Sequence, residues 1–140
     1  MNPSGDMELT TDTYTITWTD ADEDSDALIA LFYDIDNTGA DGDEITTGVS
    51  ENSEIDQFEW NLAGIPEGIY WIYGVIDDGQ NVPVVRYSPG SLMKSHITVD
   101  DLKNHLLGIE PIPTERFIFA DYNRDGFIDV ADLILLLNRR

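Results

Sequence analysis

Cysteine is absent from these 140 residues, so neither a disulfide framework nor thiolate metal or redox chemistry is available. That absence leaves the compartment open. Bases are scarce: 7 Lys and Arg stand against 28 Asp and Glu, a net charge of −21. So acidic a surface repels phosphate backbones, which argues against any nucleic-acid partner. Solubility or a salty habitat accounts for most of those charges without making them a substrate site. The N-terminus, "MNPSGDMELT", has neither a basic n-region nor an apolar h-region and reads as no signal peptide. No apolar run approaches the roughly 20 residues that span a bilayer, so no membrane insertion is expected. There are two histidines, His96 and His105, and no G-x-S-x-G motif, phosphate-cradling loop or zinc spacing. Carboxylate pairs are plentiful, but a glycosidase needs a cleft, which short turns do not supply. The expectation is a non-catalytic protein.

Hydrophobic residues make up 41% of the chain and aromatics 10%, enough for packed cores. The charge is unevenly placed. Residues 1–90 hold twenty acids and one base, Arg86, whereas residues 91–140 hold eight acids and six bases. A border near Gly90 therefore separates an expected domain of residues 1–90 from one of residues 91–140.

Strand signals fill the first part. "TYTITWT" alternates through Tyr14, Ile16 and Trp18, "ALIALFY" is a short buried run, and "DQFEWNL" alternates through Phe58, Trp60 and Leu62. "GIYWIYGVI" and "PVVRYS" complete the series, with turn clusters "DADEDSD", "DNTGADGD", "IPEG" and "DDGQN" between them. Short strands at this spacing suggest an antiparallel sandwich. "LAGIPEGIYWIYGVIDDG" then resembles the corner before the penultimate strand of immunoglobulin-like and fibronectin type III modules. The resemblance covers about residues 14–90 and implies that Tyr70 is a corner tyrosine, its ring buried and its hydroxyl bonded to nearby backbone. "DADEDSD" offers Asp20, Asp22, Asp24 and Asp26, and "DIDNTGADGD" offers Asp34, Asp36, Asp41 and Asp43. Both loops are open to two readings, turn-forming aspartates or a second calcium site.

The last fifty residues carry a sharper pattern. In "DYNRDGFIDVAD", residues 121–132, the spacing is that of a twelve-residue EF-hand loop. Asp121, Asn123, Asp125, the carbonyl of Phe127, Asp129 and Asp132 take the ligand positions for one Ca²⁺, and Gly126 takes the turn. Ile128 pins the loop, and Asp replaces the usual Glu at position twelve. Asp129 and Asp132 also read as N-cap and third-position acid of a helix through "VADLILLLNRR", apolar nearly all round and in need of burial on more than one side. A degenerate copy lies upstream in "KSHITVDDLKNHLLG", where Thr98 matches Asp129, Asp101 matches Asp132 and Leu102 matches Leu133. Its ligand positions fall on Gly90, Leu92 and Lys94, so this copy keeps the helix and loses the metal; Gly108 is its stop.

Two loop-helix repeats of this form resemble a dockerin module over about residues 90–140. The resemblance implies a pair of antiparallel helices and a cohesin-like partner. It further implies that the positions after the ninth of each loop, with exposed residues along the helices, choose that partner. Here those are Val130, Ala131 and Asn138, with Val99, Asp100, Lys103 and Asn104 in the first repeat. The expected fold is thus an all-β immunoglobulin-like sandwich followed by a small all-α, dockerin-like pair of calcium-loop helices. The expected function is to tether a larger secreted protein to a cohesin-like module on a scaffold or cell surface, outside the cell, this chain being a fragment of that protein. The competing expectation is a calcium-stabilised cap or spacer whose helical pair packs on its own sandwich. A calcium sensor is disfavoured, because one loop has lost its ligands and the helices lack methionine.

Overall fold

The computed structural model describes residues 1–9, 11–19, 26–53 and 55–138. An all-β region precedes an all-α one, and the chain divides into two compact units, Met1–Lys94 and Ser95–Arg140. The strands are β1 (Met7–Leu9), β2 (Thr13–Thr17), β3 (Leu28–Asp34), β4 (Asp43–Ser50), β5 (Gln57–Asn61), β6 (Gly68–Asp77), β7 (Val84–Tyr87) and β8 (Leu92–Lys94). The helices are α1 (Val99–Leu106), α2 (Phe117–Ala120) after a 3₁₀ turn at Thr114–Arg116, and α3 (Val130–Asn138).

Six strands form one sheet in the order β1-β8-β6-β3-β4, with β7 also paired to β6, and β2 and β5 form a second. Their pairings are antiparallel except that β1 and β8 run parallel. The alternation read in "TYTIT" and "QFEWN" places Tyr14, Ile16 and Trp60 on the inner face of the small sheet. They pack there with Leu62 against Leu9, Ile29, Leu31, Ile72 and Leu92 of the large one. Such a core, apolar on both faces and closed, is what holds the sandwich together.

β6 is the longest strand because it serves two neighbours: Gly68–Tyr70 pair with β8, and Tyr73–Ile76 with β7. At its start Tyr70 is buried and donates its hydroxyl to the Pro66 carbonyl at 3.1 Å, as the corner tyrosine is expected to do. Burial pushes this phenol above its usual range. Gly68 makes room for it: a Cβ there would lie 2.7 Å from the Tyr70 oxygen.

Three strands have no counterpart among the sequence signals. β1 and β8 are three residues each, too short to alternate visibly. β4 is polar, an edge strand whose register shifts against β3, with only Ile45 and Val49 turned to the core. β8 matters most, because it lies where the degenerate loop was expected. Leu92 is fully buried in the sandwich core, and Lys94 is buried too. The Lys94 ammonium donates to the carbonyls of Leu62 and, at 2.7 Å, Ile65, with Asp12 at 3.9 Å. A residue read as a ruined metal ligand is instead a strut that satisfies two carbonyls of the turn after β5.

In the helical unit, α1 begins with a reciprocal capping box. The Asp101 N–H donates to the Thr98 hydroxyl oxygen at 3.1 Å, and the Thr98 N–H donates to the Asp101 carboxylate at 2.7 Å. α3 opens on a related pair with the first donor one residue earlier: the Ala131 N–H donates to the Asp129 carboxylate at 2.6 Å, and the Asp129 N–H to the Asp132 carboxylate at 2.8 Å. The aligned residues thus open a helix in both copies, and in both the later acid accepts the N–H of the earlier residue. α1 and α3 pack on each other, with Leu102 fully buried. Ile97, Ile112, Phe119 and Ala120 complete the buried apolar set of this unit.

Candidate functional site

The acidic loop, residues 121–132, closes by hydrogen bonding to its own backbone. Asp121 accepts the Asp125 N–H at 3.1 Å on one oxygen and the Gly126 N–H at 2.8 Å on the other. Asn123 accepts the Asp125 N–H at 2.9 Å, and Asp125 accepts the Phe127 N–H at 2.9 Å. Asp125 also takes the Asn123 side-chain amide at 2.8 Å on its second oxygen. Asp132 is fully buried and ties the two ends together, accepting Asn123 N–H at 3.1 Å and Asp129 N–H at 2.8 Å. The tight turn runs through positive φ at Arg124 (59°) and Gly126 (90°). Tyr122 shares this buried surrounding, and burial, with the Asp132 charge adding to it, raises its phenol above the usual range.

This geometry corrects the expectation of calcium. Among the described residues, no group of three or more His, Cys, Asp or Glu side chains is gathered so as to hold a metal ion. The reason is visible in the bonds. Acceptor side chains at positions one, three, five, nine and twelve are what a Ca²⁺ loop needs. They are also what a tight loop needs to satisfy its own N–H groups, and here the backbone takes them. The residues at these positions therefore do not fit the ion as a ligand set, and the loop is a hydrogen-bonded helix entrance.

The second calcium site expected in the sandwich loops is corrected by the same finding. Asp20, Asp22 and Asp24 lie outside the described residues. Asp26 accepts the Asn52 side-chain amide at 2.7 Å. In the other loop Asp36 accepts the Thr38 N–H at 2.8 Å, a turn of the ordinary aspartate kind. Asp34 is buried and takes the Tyr87 hydroxyl at 2.8 Å. That hydroxyl also lies 2.9 Å from the Thr38 carbonyl and accepts the Ala40 N–H at 2.9 Å, so it latches the loop after β3. Burial, with the Asp34 carboxylate next, pushes the Tyr87 phenol up to about 12. A cleft of about 250 Å³ beside this loop is lined by Tyr33, Asp34, Ile35, Asp36, Asp41, Gly42 and Asp43.

The expected partner-contacting residues fall on two helices. Val130, Ala131 and Asn138 are exposed on α3; Asp100 and Lys103 are exposed and Val99 and Asn104 half-buried on α1. Lys103 and Asp100 are an ion pair at 3.1 Å. The stronger feature was not singled out in the sequence. Phe127, Val130, Ile134 and Leu137 recur at spacings of three, four and three residues, and they are 72%, 59%, 52% and 45% exposed. α3 is apolar nearly all round, as expected, yet it buries only its Leu133 and Leu136 side, and those two only half. The all-round burial that its composition calls for is not met within the described residues. The signal was in the sequence as spacing, but spacing does not say which face of an all-apolar helix is covered.

His105 accepts the Ile112 N–H on Nδ1 at 2.9 Å with its ring edge-on to Phe117. Among the described residues no helix is long and apolar enough to cross a membrane. No protein-family model matches this chain, nor does any curated protein or solved structure.

Proposed function

We propose that this two-unit chain is a non-catalytic interaction module. Its helical unit docks a cohesin-like module on a scaffold or cell surface and so tethers the protein that carries it outside the cell. The observation that carries this reading is the uncovered stripe of Phe127, Val130, Ile134 and Leu137. Burying a side chain of this size stabilises a complex by roughly 1.5–3 kcal/mol before the costs of association, so a stripe of four suffices for an anchor. The duplicated helix entrances, Thr98 with Asp101 and Asp129 with Asp132, support the likeness to dockerin modules. The Tyr70 corner supports the immunoglobulin-like reading of the sandwich. A second copy of this chain is a poor occupant, since two molecules at −21 repel. The order of the docking unit rests on the loop's own hydrogen bonds.

The test pairs binding with stability. The chain and its Val130→Asp plus Ile134→Asp variant are immobilised, and proteins of the source's extracellular and envelope fractions are captured on each. A cohesin-like protein is expected on the wild type alone, with the two melting temperatures equal to within about 0.5 kcal/mol of stability, as for surface substitutions. Equal capture on both removes α3 as the docking face. A variant that binds nothing and also melts several degrees lower would show instead that the stripe is packed within the chain, the cap-or-spacer reading.

A further inference from the structure

The segment returning from α1 is held by a histidine used as an acceptor. Gly108 (φ 68°) ends the helix, and the carbonyl of Asn104 accepts the N–H groups of Ile109 at 2.9 Å and Glu110 at 3.3 Å. The last bond of the series is made by a side chain: the Ile112 N–H donates to His105 Nδ1 at 2.9 Å, and Ile112 is buried. A lone pair cannot accept a hydrogen bond and carry a proton at once. The Ile112 bond therefore exists only while the ring is neutral with its proton on Nε2.

We propose that His105 is an acid-sensitive latch: its neutral ring holds residues 108–112 against α1, and protonation releases them. Charged groups stand on the elements near the latched segment. Asp101, Glu110 and Arg116 line a cleft of about 60 Å³ with Ile112, and Lys103 and Asp100 are paired on α1 itself. α3, packed on α1, brings Asp132, whose oxygens are engaged by the loop backbone. The sign follows from proton counting. The latched state binds one proton fewer than the released state, so acidification favours release and raising the pH favours the latch. Histidine is the side chain suited to change charge between about pH 5 and 8. Release adds Ile112 to the already exposed Leu107 and Ile109 of the same stretch, enlarging the apolar surface of the helical unit in acid. The latch stands whether or not α3 docks a partner.

The experiment is amide hydrogen exchange by NMR on the full chain at about pH 8 and about pH 5.5, corrected for intrinsic exchange. The comparison is with His105→Gln, whose side-chain oxygen can accept the same N–H but takes up no proton. In the wild type, Ile112 protection is expected to fall roughly tenfold on acidification while α3 amides hold, consistent with loss of one hydrogen bond. His105→Gln is expected to show no such fall. Equal Ile112 protection at the two pH values in the wild type overturns the proposal, as does the same fall in His105→Gln. A direct reading of the ring keeps the proposal testable if that variant fails to fold. At pH 8 the ¹⁵N shifts of His105 in the wild type must show Nδ1 unprotonated, and a proton on Nδ1 sinks the latch.

Discussion

The two units spend their apolar residues differently. In Met1–Lys94, residues from both sheets converge on one core, with Leu28, Ile35, Ile55 and Val82 left exposed outside it, and Lys94 is buried with its ammonium bonded to two carbonyls. In Ser95–Arg140, five apolar residues are buried, while Leu107, Ile109, Ile118, Phe127, Val130, Ile134, Leu135 and Leu137 are large and exposed. A unit this short cannot bury enough surface to hide them all, since the buried fraction shrinks as the chain shortens. Its polar groups, by contrast, are well satisfied, down to each end of the 121–132 loop. The helical unit thus has its backbone in order and its apolar side chains uncovered, the combination of an interface.

That contrast makes Leu102→Ala the most damaging change. It removes a fully buried side chain from a small core, at about 2–5 kcal/mol. Helical circular dichroism should be lost while near-ultraviolet signals of Trp60 and its neighbours persist. Joint loss of both would dissolve the distinction between the units. Next is Asp132→Ala, which reads the loop's own bonds. Two part-buried N–H groups lose their buried acceptor, and about 1–3 kcal/mol should go, against roughly 1 kcal/mol or less for Asp101→Ala, whose cap is exposed. Equal losses in the two would mean that the loop adds nothing to the cap.

On the β side, Lys94→Met should cost a similar 1–3 kcal/mol by stranding the Ile65 carbonyl and taking one of two donors from the Leu62 carbonyl, whereas Asp12→Asn, weakening a pair at 3.9 Å whose acid is exposed, should cost under about 1 kcal/mol. Denaturant midpoints of the two variants decide it. Tyr70→Phe deletes one hydroxyl bond and should cost about 1 kcal/mol.

The smallest effect is alkaline. The Tyr87 phenol, raised to about 12 from 10.0, keeps its proton in the folded chain where the unfolded chain loses it. The folded state then binds more protons, so its stability is full below pH 10 and declines as the pH climbs from 10 to 12. In phenolate absorbance the part of the titration that comes at about pH 12 in the wild type should be missing in Tyr87→Phe.

Much of this was readable in advance for local reasons. Alternation in residues 13–17 and 57–61 sets which side chains face inward, and the Pro-x-Gly turn before Tyr70 positions the corner. Thr98 with Asp101 and Asp129 with Asp132 mark helix starts by chemistry that lies within four residues. β1, β4 and β8 were not readable, since an edge strand or a three-residue strand gets its partners from far along the chain. The acidic loop misled for a different reason: the same acceptor spacing serves a cation and a tight turn, and only the direction of each carboxylate distinguishes them.

The sequence by itself determined the order of β before α, the inward faces of the principal strands, the two capped helices and the excess of acid. These depend on periodicity and on contacts within a few residues. Only the tertiary structure decided that Lys94 is a buried strut, that the loop's carboxylates turn to their own backbone, and that α3 leaves Val130, Ile134 and Leu137 uncovered. The strut and the uncovered face depend on which distant groups arrive beside a side chain, and the loop on the backbone path through Arg124 and Gly126; residue spacing records neither.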